Sequence, residues 1–146
     1  MLMQTARNLA AAILIGLPAI ASAAQVIEVY KSARCGCCEA WVEHLRLHGL
    51  TVKAHDVASP SDVRAKMGIP DRLGSCHTAL IGGYAIEGHV PAADILRLMA
   101  EQPKAKGLAV PAMPPGSPGM EGPRHMAFDV LLVRDDGTTT VFKHDN

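Results

Sequence analysis

The feature that most constrains how this chain can fold is a group of three cysteines between a predicted strand and a predicted helix. The apolar run at residues 26–30 is followed by Cys35, Cys37 and Cys38, and a helical pattern opens at Glu39. The amino end of a helix carries a partial positive charge that stabilises thiolates. A disulfide uses only two thiols, and three clustered thiolates repel one another unless a soft cation lies among them. The motif therefore indicates a metal site, with copper(I) as the first candidate, and a redox-active pair of Cys35 and Cys38 as the alternative.

The pattern along the chain predicts a mixed α/β fold. Strands are expected at residues 26–30, 51–57, 78–81 and 84–87, and helices at residues 38–48, 59–68 and 91–101. The Gly82-Gly83 pair predicts a hairpin between the third and fourth strands. The apolar faces predicted for the first and third helices are Trp41, Val42 and Leu45, and Ala93, Leu96, Met99 and Ala100. The order β-α-β-α-β-β-α is typical of a thioredoxin-like fold, in which helices flank a mixed sheet.

The C-terminal part of the chain differs in composition. Residues 103–125, called here the Pro/Gly-rich segment, are expected to lack helix and central strand. Residues 128–142 are predicted to form a β-hairpin extension around Asp136-Gly137. We expect the Pro/Gly-rich segment to cross the cysteines as a lid. Its Met113 and Met120 would shield the thiolates or supply a weak extra ligand.

A fourth cysteine, Cys76, is predicted to meet the other three. In a thioredoxin-like fold the loop before the third strand ends in a cis-proline that lies against the active cysteines. Here Cys76 falls just before that position, and His77 replaces the proline. Disulfide-exchange enzymes use this proline to dock their substrates, so its loss favours a metal site over an oxidoreductase.

Several other side chains could contribute to such a site. The additional candidate ligands are His77, Met113, Met120 and His125. For the methionines, simple packing of a loop onto the core is the alternative. His44 and His48 have a chelating spacing, but we expect them on an exposed helix face. The other three histidines belong to no recognisable group: His55, His89 and His144.

Four clustered cysteines are compatible with several chemistries. Zinc accepts four thiolates, but its sites usually separate two Cys-x-x-Cys pairs. Iron–sulfur clusters also use four cysteines, although an oxidising compartment does not suit them. A structural disulfide from Cys76 to Cys35 or Cys38 would leave two thiols unused. Copper(I) shares bridging thiolates readily, so a compact set of four sulfurs suits a polynuclear copper(I) centre.

Residues 1–23 have the layout of a secretory signal peptide. A short start with Arg7 precedes an apolar run at residues 9–20 and the cleavage-type sequence Ala21-Ser22-Ala23. This run is shorter than the ~20 residues that cross a membrane. We therefore expect cleavage and a periplasmic protein, attached to the membrane only if the segment is retained. Residues 24–146 suit a single domain.

Charge and aromatic content argue against nucleic acid as a partner. The chain has 14 basic and 14 acidic residues, and only 3% of its residues are aromatic. It therefore lacks both the basic surface and the stacking platforms that nucleic-acid binders use.

Four motifs carry a family resemblance. They are Cys35-Gly-Cys37-Cys38, residues 73–78 around Cys76, residues 82–91, and residues 107–121. Together they resemble the exported CopG-type copper-resistance proteins, a thioredoxin-like metal-binding family, over residues 26–142. The resemblance implies that the four cysteines hold a polynuclear copper centre in the periplasm. It also implies a role in copper sequestration or in redox interconversion of copper.

Three functions stay open at this stage. The first is copper(I) binding for copper tolerance, with or without an oxidoreductase activity toward copper. The second is a thiol–disulfide oxidoreductase in which Cys35 attacks and Cys38 resolves. The third is a metallochaperone that delivers copper to another copper-handling protein of the periplasm or membrane. The same soft ligands serve all three.

Overall fold

A computed structural model describes residues 25–146 of the chain. The predicted signal peptide at residues 1–23 lies outside these described residues. The elements are β1 (Val26–Lys31), α1 (Gly36–Leu47), β2 (Thr51–Asp56), α2 (Pro60–Lys66), β3 (His77–Ile81), β4 (Tyr84–Gly88), α3 (Ala92–Glu101), β5 (Gly107–Val110), β6 (Phe128–Val133) and β7 (Thr139–Asp145). A short 3₁₀ turn at Asp71–Leu73 precedes β3.

One open sheet contains all seven strands, in the order β2-β1-β3-β4-β5-β6-β7. The β1–β2 and β4–β5 pairs are parallel, and the other neighbouring pairs are antiparallel. The predicted fold class is confirmed: a mixed sheet is flanked by helices and carries a C-terminal hairpin. That hairpin, β6–β7, continues the sheet because β6 pairs with β5.

The core confirms the predicted face of α1. Trp41, Val42 and Leu45 are fully buried and pack with the inner residues of β1, Ile27 and Val29. Full burial of one such side chain contributes about 1.5–3 kcal/mol. This packing fixes α1 against the sheet, and so fixes the position of the cysteines at its amino end.

The predicted apolar face of α3 is wrong. The buried residues of α3 are Ala92, Asp94, Ile95 and Leu98. Leu96, which we expected inside, is 47% exposed, and Met99 is only partly buried against the core. The buried face includes the carboxylate of Asp94, which lies 3.8 Å from Lys143 Nζ of β7. Asp94 interrupted the apolar pattern in the sequence.

The expectation for the Pro/Gly-rich segment is wrong in one stretch. Residues Gly107–Val110 form β5, which is fully buried between β4 and β6. Gly107 approaches β4 so closely that a Cβ atom there would lie 1.7 Å from the Ala85 carbonyl oxygen. A four-residue strand between prolines gives too short a pattern to be recognised. The remainder, residues 111–127, contains no helix or strand in the described structure, as predicted.

Candidate metal centre

The first three cysteines lie at the amino end of α1. Cys35 is the N-cap residue, and its Sγ accepts a hydrogen bond from the Cys38 backbone N–H at 3.3 Å. Cys35 and Cys38 are joined by a disulfide, whereas Cys37 and Cys76 are free thiols. The predicted alternative of a bond from Cys76 to Cys35 or Cys38 is not formed. The motif is therefore in its oxidised form.

Cys76 brings the fourth sulfur to the same place. Its Sγ lies 3.8 Å from Cys37 Sγ, which in turn lies 3.4 Å from Cys35 Sγ. All four sulfurs lie within 4.8 Å of one another. The predicted approach of Cys76 to the other cysteines is confirmed. No peptide bond among residues 25–146 is cis, in keeping with a histidine at position 77.

A buried carboxylate holds the loop that carries Cys76. Glu87 of β4 is fully buried; its Oε1 accepts the Ser75 backbone N–H at 2.7 Å, and its Oε2 accepts the Thr78 hydroxyl at 2.6 Å. Arg64 Nη1 also donates to Glu87 Oε1, at 3.4 Å. Burial raises the pKa of this carboxyl, against the lowering effect of its hydrogen bonds and of Arg64. Glu87 thus holds the Ser75 backbone on one side of Cys76 and the Thr78 side chain on the other.

Two buried imidazoles face the Cys76 sulfur. His77 Nδ1 lies 3.4 Å and His89 Nε2 lies 3.2 Å from Cys76 Sγ. The other nitrogen of each ring donates to a backbone carbonyl: His77 Nε2 to Gly88 at 2.9 Å and His89 Nδ1 to Pro118 at 2.8 Å. These bonds fix the tautomers, so the lone pairs of both rings point toward the same sulfur.

The surroundings of both rings favour the neutral imidazole. Burial, with a smaller contribution from His89, lowers the pKa of His77 to about 3. Burial also lowers the pKa of His89. The Trp41 ring covers His77, with ring centroids 4.2 Å apart. A neutral imidazole with a free lone pair is a suitable metal ligand.

His89 was not among the ligands expected from the sequence. A signal for it exists in the hairpin register, because Thr78 of β3 pairs with Glu87 of β4. Continuing this antiparallel register by two residues brings Cys76 opposite His89. A register deduced from the Gly82-Gly83 turn could therefore have found this histidine.

The Cys76 thiol is neutral without a cation beside it. Burial, followed by the charge of Cys37, raises the pKa of Cys76 to about 12. Thiols ionise when they bind a metal, because the cation stabilises the thiolate. The environment of Cys76 therefore favours either a protonated thiol or a metal-bound thiolate.

The Pro/Gly-rich segment passes over the site, as expected. Ser75 Oγ donates to the Ala112 carbonyl at 2.5 Å, and the Ala112 backbone N–H donates to the Gly74 carbonyl at 3.1 Å. Beside this attachment, Met113 Sδ lies 4.0 Å from Cys37 Sγ, although 46% of Met113 is exposed. The segment therefore contacts the free thiol of the motif through one thioether.

The other two candidates from this segment lie differently. The Met120 carbonyl accepts the Gly116 backbone N–H at 2.9 Å in a local turn. Its thioether makes no hydrogen-bond contact with a cysteine sulfur in the described structure. His125 packs on Gly116, and it belongs to neither group of potential metal ligands within residues 25–146.

The histidines on α1 have a structural role. His44 is half-buried, contrary to expectation, and its Nε2 accepts the Ala92 backbone N–H at 3.1 Å, at the start of α3. His48 is exposed, as predicted, with its ring centroid 4.3 Å from that of His44. The other two histidines pair with carboxylates on the sheet, His55 with Glu28 and His144 with Asp129.

Within residues 25–146, no helix combines the length and the apolar character needed to cross a membrane.

Comparisons with known proteins identify relatives of this chain. The family described as "Protein of unknown function, DUF411" matches residues 73–120, which include Cys76 and both buried histidines. No curated protein matches the chain. A solved structure named "Copper resistance protein copG- Form 2" is 45% identical with a TM-score of 0.79, and the match covers 84% of this chain and 98% of that one. A second, "Copper resistance protein copG- Form 1", is 46% identical with a TM-score of 0.77, covering 82% and 95%. The chain therefore belongs to the family of CopG copper resistance proteins.

Proposed function

We propose that this protein is exported to the periplasm, where it holds copper(I) through Cys35, Cys37, Cys38 and Cys76 and so supports copper tolerance. The observation that carries the proposal is the convergence of four sulfurs within 4.8 Å, in a chain 45% identical to a copper resistance protein. Reduction of the Cys35–Cys38 disulfide supplies the two further thiolates.

The sulfur spacing supports shared metal ions. Two thiolates bound to one tetrahedral ion by bonds of about 2.3 Å lie about 3.8 Å apart. With the Cys35–Cys38 disulfide formed, the Cys35–Cys37 and Cys37–Cys76 sulfur separations are 3.4 and 3.8 Å, close to this value. Cys37 is close to sulfurs on both sides, as a bridging ligand must be. Copper(I) accepts few, soft ligands, and the proposal is therefore a polynuclear centre with bridging cysteines.

Copper loading tests the proposal. The protein is reduced and loaded with copper(I) anaerobically, and bound metal is measured after removal of excess copper. We expect more than one copper per chain, and a sharp loss in each single Cys→Ser variant. Met126→Leu is the matched control, because it removes an exposed sulfur, 57% accessible, remote from the group of four. Stoichiometric zinc with no preference for copper(I) would overturn the copper assignment.

Export is tested separately. We expect the mature protein to begin at Ala24 and to appear in the periplasmic fraction. Sequencing of the amino terminus after fractionation checks this. An intact Met1 in the membrane fraction would indicate a retained anchor.

A second function is favoured by the Cys35–Cys38 disulfide beside the free thiol of Cys37. In copper interconversion, two copper(II) ions each accept one electron. The two thiols of Cys35 and Cys38 release two protons and form one S–S bond. The reduced protein should then convert copper(II) to copper(I) in step with disulfide formation, and Cys38→Ser should prevent this.

Two related functions predict other outcomes. A thiol–disulfide oxidoreductase would turn over a disulfide substrate without Cys37 and Cys76 but not without Cys35 or Cys38. A metallochaperone would pass copper(I) to a periplasmic or membrane partner with no change of oxidation state.

A further inference from the structure

The loop between β4 and α3, at residues 88–92, is held by two side chains of α1. Trp41 Nε1 donates a buried hydrogen bond to the Val90 carbonyl at 2.9 Å. His44 Nε2 accepts the Ala92 backbone N–H at 3.1 Å. Trp41 and His44 are three residues apart, so they lie on the same face of α1. The loop is therefore attached to α1 at both of its ends.

His44 supplies an acceptor that the start of α3 lacks. Ala92 is the first residue of α3, and the N–H groups in the first turn of a helix have no partner inside it. The N-cap residue of α3 is Pro91, whose side chain makes no capping bond. The imidazole of His44 caps the helix in its place. Because Nε2 accepts, the one proton of the ring lies on Nδ1 and the ring is neutral.

Protonation of His44 turns this attractive contact into a repulsive one. An imidazolium has two N–H donors and no acceptor, so it cannot take the Ala92 N–H. It also places a positive charge at the amino end of a helix, which already carries partial positive charge. Burial, followed by the charge of His48, lowers the pKa of His44. The direction of this shift agrees with a ring that makes its contact in the neutral form.

Charged groups from three elements bear on the His44 ring. On α1, the ring centroid of His48 lies 4.3 Å away, and its positive charge disfavours protonation of His44. In the Pro/Gly-rich segment, Glu121 favours protonation. In the first turn of α3, the carboxylate of Asp94 is directed to Lys143 at 3.8 Å. The ring therefore has two competing partners, the amino end of α3 for its neutral form and Glu121 for its charged form.

We propose that His44 is a pH-sensitive latch on the loop at residues 88–92. Its neutral ring caps α3 and fixes the Ala92 end of the loop, and its protonation frees that end. The Val90 end stays bound to Trp41, because an indole nitrogen is a donor only and keeps its proton. The latch is closed at neutral pH and opens in acid.

The loop connects this latch to the cysteine group. It carries His89, whose Nε2 lies 3.2 Å from Cys76 Sγ. His89 Nδ1 also donates to the Pro118 carbonyl of the Pro/Gly-rich segment at 2.8 Å. Movement of the loop therefore loosens this segment where it covers the thiols. Acid should then speed the release of copper(I) beyond the effect of thiolate protonation, a step that rests on the proposed function.

NMR spectroscopy of the metal-free wild-type protein tests the latch without copper and without a variant. On acidification, the shift of the Ala92 amide should titrate together with the ring nitrogens of His44. The hydrogen-exchange protection of that amide, relative to the intrinsic rate at each pH, should fall about two- to thirtyfold, the range expected for a charge at a helix end. An Ala92 amide that keeps its shift and its protection while His44 gains a proton would overturn the proposal.

Three variants assign the transition to its residue. His44→Gln keeps a neutral acceptor for the Ala92 N–H and should remove the acid transition of that amide. His48→Gln, the matched control one turn away on α1, should retain the transition. Glu121→Gln removes the attraction for the charged ring and should move the transition to lower pH. Persistence of the transition in His44→Gln would refute the assignment to His44.

Copper release distinguishes the latch from the proposed function. Transfer of copper(I) to an excess of chelator is timed at pH values above and below 6.5. Acid should speed the transfer more in the wild type than in His44→Gln, because thiolates protonate in both proteins but the latch opens only in the wild type. Equal acceleration in the two proteins refutes control of copper by the latch. A protein that binds no copper(I) refutes the proposed function alone, and the Ala92 amide then decides the latch.

Discussion

Removal of the Glu87 carboxylate should loosen the loop that carries Cys76. Glu87→Ala leaves the half-buried Ser75 N–H and the buried Thr78 hydroxyl without their acceptor. A buried donor left unpaired costs about 1–3 kcal/mol, and a half-buried donor costs less. Arg64 loses one carboxylate but keeps Asp71 at 3.1 Å. We expect a total loss of about 3–5 kcal/mol in the free energy of unfolding.

Glu87→Gln is the matched variant. Its amide oxygen can still accept the Ser75 N–H, and a neutral amide avoids the desolvation that raises the pKa of Glu87. We expect a change within about 1 kcal/mol of wild type. A raised carboxyl pKa gives stability that is complete below the unfolded pKa and is lost as pH rises through the folded pKa. The stability of Glu87→Gln relative to wild type should therefore increase as pH rises above the ordinary glutamate value of 4.5.

Thermal unfolding followed by circular dichroism, at several pH values, measures both variants. The rate at which Cys76 reacts with a thiol reagent, in a Cys37→Ser background, reports the loop directly. Glu87→Ala should react faster and Glu87→Gln at the wild-type rate. Equal stability of the two variants, or an unchanged thiol rate in Glu87→Ala, would refute the assigned role of Glu87.

Three further predictions concern the surroundings of the site. Burial lowers the pKa of His44, with a smaller effect from His48, so the free energy of unfolding should fall as pH drops through 6.5 toward the folded pKa. His44→Gln should flatten this pH dependence, measured by urea unfolding at pH values above and below 6.5. An unchanged dependence would contradict the role of His44 at the start of α3. Gly119 has φ +85°, and a Cβ there would lie 2.7 Å from the Cys37 carbonyl oxygen. Gly119→Ala should therefore push the Pro/Gly-rich segment away from α1 and lower the free energy of unfolding by about 1–3 kcal/mol. The control Gly122→Ala, whose Cβ meets no atom within 4 Å, should do neither. The double variant Met113→Ala, Met120→Ala should keep the fold but speed air oxidation of the thiols or loss of copper, whereas Met126→Ala should not. Equal rates in the wild type and both variants would show that the segment only packs on the core.

Much of the candidate site could be predicted from the sequence, because the order of strands and helices determines where Cys76 lies. The residue before β3 faces the start of α1 whenever the β1–β3 pairing forms, so sequence separation did not hide it. His89 was missed because its approach to Cys76 depends on the register of the β3–β4 hairpin beyond the ends of both strands. The tautomers of His77 and His89 depend on carbonyls brought from Gly88 and Pro118, which only the folded chain reveals.

Two other differences have local causes. Strand β5 is too short to give a pattern, and its burial comes from neighbours on both sides. The face of α3 was misassigned because Asp94 is buried beside a cation, which composition cannot indicate. The Cys35–Cys38 disulfide was one of several alternatives left open by the residues, since pairing depends on geometry and redox conditions.

The wide spacing of the ligands along the chain has a consequence for the timing of metal capture. The thiol of Cys76 reaches α1 only after β3 has paired with β1, and Pro118 reaches His89 only after the chain has passed through β5. Contacts between distant parts of the chain form late, because closing a long loop costs conformational entropy before the new contacts add stability. A chain that has not finished folding therefore lacks the complete donor set, which appears only with the finished sheet. Any ion that uses the whole set binds the native state alone and stabilises it by mass action. Unfolding should then release the metal, and added metal should raise the free energy of unfolding.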